Sequence, residues 1–369
     1  MGVQVREKIK GSGVWWVFVK HQGRRMSKQV GNKWAAKEVA KKLEAAIAAG
    51  DFRLEETKAP TFGELAQDWL AITVPATCKA STASDYRSLI KNHVGPVFNP
   101  KPVDQITRLM VKDFLLGKIR DGLAASTVTH MKNCISGVLG RAVEANILEH
   151  NPALTLGRLY REKPKGQEIT PMPVEHLSAL LEAYRDHWPR YYPLVLTLAR
   201  TGLRVGEALG LMWEDLDFDR RVVHVKRSLS RMQLVPPKSG KSRPVDMSPQ
   251  LALVLQGLQT SRKREALAKG WGEVPDLVFV NRDGKPVDLN HFRARVWEKA
   301  LAVAKLPHYR IHDLRHSYAT MRIQAGHNVA DVSSQLGHHS VKFTLDQYYH
   351  WLPGKAKNEV DDLDRLAAV

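Results

Sequence analysis

The chain has 369 residues, of which 43% are hydrophobic, so it is long enough for two or three domains with their own cores, and general disorder is excluded. Lys and Arg number 56 against 38 Asp and Glu, which gives a formal net charge of +18 and a pI near 9.8. Such an excess repels itself unless a polyanion is the usual partner, so nucleic acid is the first candidate and an acidic membrane surface the second.

Neither a membrane span nor a signal peptide is apparent. No uncharged run approaches the ~20 residues that cross a bilayer, and the basic N-terminus has no long apolar segment. We therefore expect a soluble, cytoplasmic protein. The two cysteines, Cys78 and Cys134, have no CxxC spacing and no neighbouring His cluster, which argues against a disulfide framework and a zinc site.

Residues 1–58 predict a small module of strands and one helix. Residues 14–19 are rich in β-formers, residues 25–30 are a second candidate strand, and residues 34–49 follow helical spacing. Of the adjacent Trp15 and Trp16 we expect one ring in the core and one at the surface.

The same module is strongly basic. Residues 1–50 hold eleven Lys or Arg against three Glu, and contact with DNA phosphates needs charge rather than a particular sequence. The candidate DNA contacts here are Arg24, Arg25 and Lys28.

Residues 59–160 predict a compact helical domain. Thr61 and Glu64 form a capping-box pattern at the start of the first helix. Later helices are predicted to start at Ser81 or Thr82, at Thr107 and at residues 125–127. The proline-bounded, charged segment 161–171 is typical of a linker.

Residues 172–353 predict a helical domain that contains a small antiparallel sheet. The candidate strands are residues 221–225 and 243–247, with a turn at 238–241 before the second. Helices are predicted at residues 174–184, 191–200, 290–304 and 312–325. The tail, residues 354–369, has too few apolar residues to form a core helix.

The last sixty residues bring together groups that suit attack on a phosphodiester. His312 and Arg315 lie in one short segment, His338 follows Leu336 and Gly337, and Tyr348 comes ten residues later. Arginine forks onto phosphate oxygens, histidine moves protons near neutral pH, and tyrosine can act as a covalent nucleophile. No metal-ligand cluster accompanies them, so we expect no bound metal.

Residues 201–209, Thr-Gly-Leu-Arg-Val-Gly-Glu-Ala-Leu, complete a set of motifs. Together with the boxes at His312 to His316 and Leu336 to His338, and with Tyr348, this set resembles the tyrosine recombinases, in particular phage and genomic-island integrases. The resemblance implies a multidomain, mainly α fold with small β-sheets: an arm-binding module of strands and a helix, a helical core-binding (SAM-like) domain, and a mixed α/β catalytic domain.

The resemblance also implies roles for individual residues. Arg204 and Arg315 would clamp the scissile phosphate, His312 would move a proton or hold the phosphate, and His338 would bond it. Lys238 would protonate the leaving 5′ oxygen, Tyr348 would be the nucleophile, and Glu207 and His316 would support the site. The alternatives that remain open are Lys241, His339 and Tyr349. Lys241 and Arg243 are also candidate DNA contacts.

The implied reaction cleaves and rejoins DNA through a 3′-phosphotyrosine and needs no cofactor. The implied partners are double-stranded DNA at core and arm-type sites, a homotetramer formed on that DNA, and possible accessory proteins that bend DNA or set direction. The expected setting is the bacterial nucleoid. As a further hypothesis, residues 354–369 dock on a neighbouring protomer.

Three rival interpretations follow from the same residues. A type IB topoisomerase uses similar chemistry but reseals the same strand, and the arm-like module argues against it. A DNA-binding architectural protein with a decayed site is disfavoured because every predicted catalytic position holds an active residue type. A metal-dependent nuclease lacks the clustered carboxylates it would need.

Overall fold

A computed structural model of the chain describes residues 2–9, 11–21, 24–49, 59–157, 159, 169–237 and 240–352, with the backbone alone for residues 21 and 24. The chain divides into two compact units, residues 1–162 and 163–369. Among the described helices, none is long and apolar enough to cross a membrane.

The first unit begins with a three-stranded antiparallel sheet packed on one helix. Its elements are β1 (Gly2–Glu7), β2 (Trp15–His21), β3 (Arg24–Gly31) and α1 (Lys33–Ala48). Val17 and Val19 of the central strand are buried together with Ala36 and Ala40 of the helix. The sequence pattern predicted β2, β3 and α1 but missed β1, which pairs along its whole length with β2.

The two tryptophans of β2 face opposite sides, as predicted. Trp15 packs beside the core between sheet and helix. Trp16 belongs to the open face, where the Lys8 ammonium lies 4.4 Å from its ring centroid.

The rest of the first unit is helical and encloses its own core. Four of its helices are joined in two pairs, each through a π-helical turn, at Trp69–Thr73 and at Ile90–Val94. The helices are α2 (Phe62–Asp68), α3 (Val74–Thr77), α4 (Ala80–Leu89), α5 (Gly95–Phe98), α6 (Arg108–Arg120) and α7 (Ala125–Glu144).

The predicted capping box at the start of α2 is present. The Glu64 amide donates to Thr61 Oγ1 at 3.2 Å, and the Thr61 amide donates to Glu64 Oε2 at 2.7 Å. Thr107 caps α6 by one bond alone, in which its side chain accepts from the Met110 amide.

The second unit is a helical domain with two small sheets. Its elements are α8 (Val174–His187), α9 (Tyr192–Thr201), α10 (Val205–Leu209), β4 (Leu216–Asp217), β5 (Val222–Val225), β6 (Ser228–Ser230), β7 (Gln233–Val235), β8 (Arg243–Asp246), α11 (Pro249–Lys269), α12 (Leu289–Phe292), α13 (Glu298–Val303), α14 (Asp313–Gln324), α15 (Val329–Leu336) and α16 (Val341–Tyr348).

The main sheet has the strand order β4-β5-β8, all antiparallel. Its buried valines belong to the core of this unit, which also contains Trp297 and Tyr184. The sequence predicted β5 and β8 but not the chain between them, where β6 and β7 form a separate hairpin. The mainly α architecture with small sheets is confirmed.

Candidate active site

Arg204 is held at the start of α10 by a buried carboxylate. Its Nη1 donates to Glu207 Oε1 at 2.8 Å, and its own amide donates to Glu207 Oε2 at 3.1 Å. The Arg204 side chain is 27% exposed, whereas Glu207 is 1% exposed. The Arg204 guanidinium is therefore held on its buried side by Glu207, while part of the side chain faces solvent.

A second arginine completes the surroundings of Glu207. Arg243, the first residue of β8, donates from Nη2 to Glu207 Oε2 at 2.7 Å. Burial alone would raise the pKa of Glu207, but the hydrogen bonds and charges of Arg243 and Arg204 outweigh it and hold that pKa below its ordinary value. The carboxylate is thus ionised at neutral pH and orients both arginines.

Arg315 is anchored by two backbone carbonyls. Its Nη1 donates to Gly202 O at 2.8 Å and its Nη2 to Leu336 O at 2.7 Å. Burial and the charge of Arg204 lower the pKa of Arg315, which stays protonated at neutral pH because a guanidinium hardly loses its proton. Arg315 thereby joins the boxes at residues 201–209 and 336–338 through its own side chain.

Gly202 makes this junction possible. It ends α9 in the left-handed conformation with φ of 62°. A Cβ at this position would lie 2.4 Å from Tyr318 Cδ1, so both the backbone and the packing demand glycine. Gly202, in the motif of residues 201–209, is therefore required by its backbone conformation and by the close packing around it.

The Tyr348 side chain is buried in the same region. It is 2% exposed, and its Oη lies 2.8 Å from His316 Nδ1. Burial raises the pKa of Tyr348 to about 12, although the charge of Arg315 opposes that rise. Tyr349, in contrast, is 65% exposed and packs edge-on against the His350 ring. Only Tyr348 of this pair faces the clustered histidines and arginines.

The two adjacent histidines also separate. His338 is half-buried, its Nδ1 lies 2.7 Å from Thr344 Oγ1, and its ring is parallel to the Tyr348 ring at 6.5 Å. Burial and the charges of Arg315 and Arg204 lower the pKa of His338 to about 3. His339 is exposed and packs on Phe343. The geometry brings His338, and not His339, to the arginines and Tyr348.

His312 lies at the N-terminal end of α14 and reaches solvent. Its ring stands edge-on to the His316 ring at 5.0 Å. Desolvation, followed by the charges of His316, Arg315 and Arg204, lowers the pKa of His312 to about 4. Without a bound anion these imidazoles are neutral near pH 7, and a phosphate would favour their protonation.

Sequence reasoning missed the contacts that join β8 to α15. Gln335 Oε1 accepts from the Asp246 amide at 2.9 Å, Gln335 Nε2 donates to Asp246 Oδ2 at 2.8 Å, and Arg243 Nε donates to Gln335 O at 3.0 Å. These partners lie far apart in the chain, so no local pattern marks them. The Arg243 side chain is 9% exposed and bonded to Glu207, and its contact with DNA stays a prediction.

The remaining candidates are two lysines near β8 and three residues of the N-terminal sheet. Lys238 lies outside the described residues, in the connection from β7 to β8, and Lys241 is exposed on that connection. The side chain of Arg24 is likewise outside the described part. Arg25 and Lys28 are both exposed.

Across the described ranges, no group of three His, Cys, Asp or Glu side chains is arranged to hold a metal ion. What the cluster offers instead is two oriented guanidinium groups, three imidazoles and one phenol. This is a site for an anion with a nucleophile beside it.

Comparison with known proteins agrees with that chemistry. The model of the phage integrase family matches residues 170–354, and the model of the phage integrase central domain matches residues 62–158. The chain belongs to the phage integrase family. Within it, the chain is a tyrosine-type site-specific recombinase.

Two relatives illustrate the similarity. A XerC-like tyrosine recombinase of Caldanaerobacter subterraneus is 25% identical over 329 residues, which covers 83% of each chain. The ICEBs1 integrase of Bacillus subtilis is 25% identical over 300 residues, 79% of this chain and 80% of the relative.

Solved structures share the fold. The Tn1549 transposon integrase in complex with transposon right end DNA has a TM-score of 0.66 at 20% identity, covering 84% of this chain and all of the other (100%). A lambda integrase tetramer bound to a Holliday junction has a TM-score of 0.62 at 14% identity, covering 92% and 96%.

Proposed function

We propose that Tyr348 attacks a DNA phosphate and forms a 3′-phosphotyrosine, which a 5′ hydroxyl from another strand then resolves. The main support for this proposal is the position of the Tyr348 hydroxyl oxygen. It is buried beside His316, near enough to Arg315 for the charges to interact, while the neighbouring Tyr349 points away. The phosphotyrosine conserves the bond energy, so two such exchanges recombine two duplexes.

Arg204 and Arg315 bind the non-bridging oxygens of the scissile phosphate in this proposal. Both are oriented before any ligand arrives, Arg204 by Glu207 and Arg315 by the carbonyls of residues 202 and 336. Fixed donors of this kind stabilise a developing negative charge, and loss of one costs about 2.7–4 kcal/mol of transition-state stabilisation. His338 and His312 add further donors once the phosphate raises their proton affinity.

Lys238 is the proposed general acid for the departing 5′ oxygen, with Lys241 as the alternative. The support is its place in the sequence, five residues before Arg243, which is bonded to Glu207. An ammonium delivers its proton as the alkoxide leaves.

Residues 1–58 are proposed to bind arm-type DNA through the open face of the sheet. Arg6 lies 4.5 Å over the Phe18 ring on this face, and Lys20 pairs in register with Arg25. Lys28 pairs with the buried Val17 and therefore projects to the helix side. The open face combines positive charge with flat rings, a combination suited to a DNA backbone.

The proposed partner is double-stranded DNA, and the proposed assembly is a homotetramer on it. Solved relatives of the same fold include integrases bound to DNA and a tetramer on a Holliday junction. Residues 59–160 would act as the core-binding domain and residues 172–353 as the catalytic domain. The tail, outside the described residues, would dock on a neighbouring protomer, and a bending protein and a directionality factor would assist on nucleoid DNA.

The test uses a nicked DNA substrate cut from the ends of the mobile element that encodes the chain. The nick lets a short fragment diffuse away after cleavage, so the covalent adduct accumulates and is seen on a denaturing gel. We expect the adduct with the full-length chain and with Tyr349→Phe, and none with Tyr348→Phe. The opposite pattern would reassign the nucleophile.

A second assay separates recombination from the topoisomerase alternative. Two differently labelled duplexes that carry the site should yield exchanged products. Relaxation of supercoiled plasmid without any exchanged product would favour nicking and closing instead.

A further inference from the structure

The His316 side chain makes a direct contact with the proposed nucleophile. Its Nδ1 lies 2.8 Å from Tyr348 Oη, and the two ring centroids are 5.9 Å apart. Within the described part of the chain this is the hydrogen bond that the Tyr348 oxygen makes. Because Tyr348 is 2% exposed, bulk water has little access to that oxygen.

Attack by Tyr348 requires its phenol proton to leave. Burial raises the pKa of Tyr348 to about 12, so the phenol is protonated at neutral pH. A buried phenol of this kind needs an acceptor within hydrogen-bond distance as the new bond forms.

Two other histidines are less well placed to take that proton. The Nδ1 of His338 is bonded to Thr344, and its ring lies parallel to the Tyr348 ring instead of pointing at the oxygen. The His312 ring stands edge-on to the His316 ring at 5.0 Å, whereas His316 itself contacts the Tyr348 oxygen. His316 is therefore the histidine whose imidazole contacts Tyr348 Oη, the reacting atom.

The charges around His316 keep it ready to accept a proton. Burial lowers its pKa below the ordinary value, the charges of Arg310 and Arg315 add to this, and Asp313 opposes it. His312 on the same element, Tyr348 of α16 and His338 after α15 also face it. A neutral imidazole with its proton on Nε2 presents a lone pair at Nδ1.

We propose that His316 is the catalytic base of the cleavage step. As Tyr348 Oη bonds to phosphorus, its proton passes to His316 Nδ1, while the bond from phosphorus to the 5′ oxygen breaks and that oxygen takes a proton from the general acid. In the rejoining step an incoming 5′ hydroxyl gives its proton back to the general acid, its oxygen bonds to phosphorus as the bond to Tyr348 Oη breaks, and His316 returns its proton to Oη. This role rests on the proposed nucleophilic function of Tyr348.

The test compares His316→Asn and His316→Ala with the unaltered chain in single-turnover cleavage of the nicked substrate. Asn still offers an oxygen near the Nδ1 position but does not take up the proton. General-base catalysis contributes about 10²–10⁴-fold, so both variants should cleave at least 100-fold more slowly. His291→Asn, which replaces an exposed histidine of α12, should cleave at the normal rate.

Three readouts separate a base from a structural role. In the unaltered chain cleavage should fall on the acidic side, at a pH lower than the ordinary histidine pKa of about 6.5, as His316 becomes protonated, and His316→Asn should lose that fall. Difluorotyrosine at position 348, with its lower phenol pKa, should restore cleavage in His316→Asn. Added imidazole should accelerate His316→Ala.

The outcomes are distinguishable. Cleavage at the normal rate by His316→Asn overturns the assignment of the base and leaves the function of Tyr348 intact. Slow cleavage that keeps the acidic fall and responds to neither rescue also overturns it, because His316 would then be structural. If the unaltered chain forms no adduct at position 348, the proposed function itself fails and this role fails with it.

Discussion

Arg243 Nη2 donates to Glu207 Oε2 at 2.7 Å across 36 residues of sequence. The same carboxylate holds Arg204, and the Arg243 Nε also bonds the Gln335 carbonyl. One buried ion pair therefore connects the strand that follows Lys238 with the proposed phosphate clamp and with the segment before His338. This connection gives a reason to expect that the three parts move together.

Replacing Arg243 should weaken both folding and cleavage. Arg243→Ala leaves a carboxylate that is 1% exposed with one arginine in place of two, and removal of one partner of a buried pair costs about 3 kcal/mol. Chemical denaturation should show a loss of that size, and single-turnover cleavage should fall even under conditions where the variant is folded. Arg220→Ala, whose side chain is 85% exposed, is the control and should change neither.

Acid should remove the stabilisation that Glu207 provides. The folded state holds the pKa of Glu207 below its ordinary value, so its contribution is complete above the unfolded pKa of about 4.3 and is lost as pH falls through the folded pKa. Glu207→Gln should therefore flatten the fall in unfolding free energy as the pH drops below the unfolded pKa of about 4.3. The exposed Glu175→Gln should leave the curve unchanged, and equal curves for all three chains would contradict the prediction.

The close approach of Gly337 to Arg243 can be tested with a matched pair of glycines. Gly337 has φ of 65°, and a Cβ there would lie 2.8 Å from the Arg243 guanidinium, whereas Gly270 has φ of 64° with open space around it. Gly270→Ala should lose about 1 kcal/mol from backbone strain alone. Gly337→Ala should lose clearly more in the same denaturation assay, because the guanidinium is anchored at both ends. Equal losses would show that Arg243 yields freely.

The open face of the N-terminal sheet should account for part of the salt dependence of DNA binding. Arg25→Ala removes a cation from this face, and removal of one cation that pairs with a phosphate should reduce the slope of log K against log salt by about 0.9. Lys28→Ala removes an exposed cation from the helix side and serves as the control. Measured on the full-length chain, equal slopes for the two variants would argue against the open face as the DNA surface.

The sequence predicted most elements whose signals are local. The capping box at Thr61 and the Thr107 cap of α6 are signals within one turn, and α14 follows from helical spacing. It missed β1, where basic and polar residues obscure the alternation that only pairing with β2 reveals. It also missed α11, in which few positions are buried and charged residues occupy much of the surface.

The same division applies to the site. Arg204, Arg315 and Tyr348 belong to compact motifs, and the structure brings them together. The contacts of Arg243 with Glu207 and of Gln335 with Asp246 depend on chain segments that meet only after folding. Residues 338 and 339 are both histidine, and residues 348 and 349 are both tyrosine. Only the packing shows which residue of each pair faces inward.

Arg315 donates two N–H groups to the carbonyls of Gly202 and Leu336, and it is 3% exposed. A guanidinium held in this way has already lost its rotational freedom when the polypeptide folds. Capture of a phosphate would then demand little additional loss of side-chain entropy, and the selectivity of the clamp would come from rigidity as much as from charge. Lysine at this position would keep the charge but has no planar group with two separate nitrogens to donate to both carbonyls. A change that conserves the charge would therefore still weaken the fixed position of the phosphate-binding group.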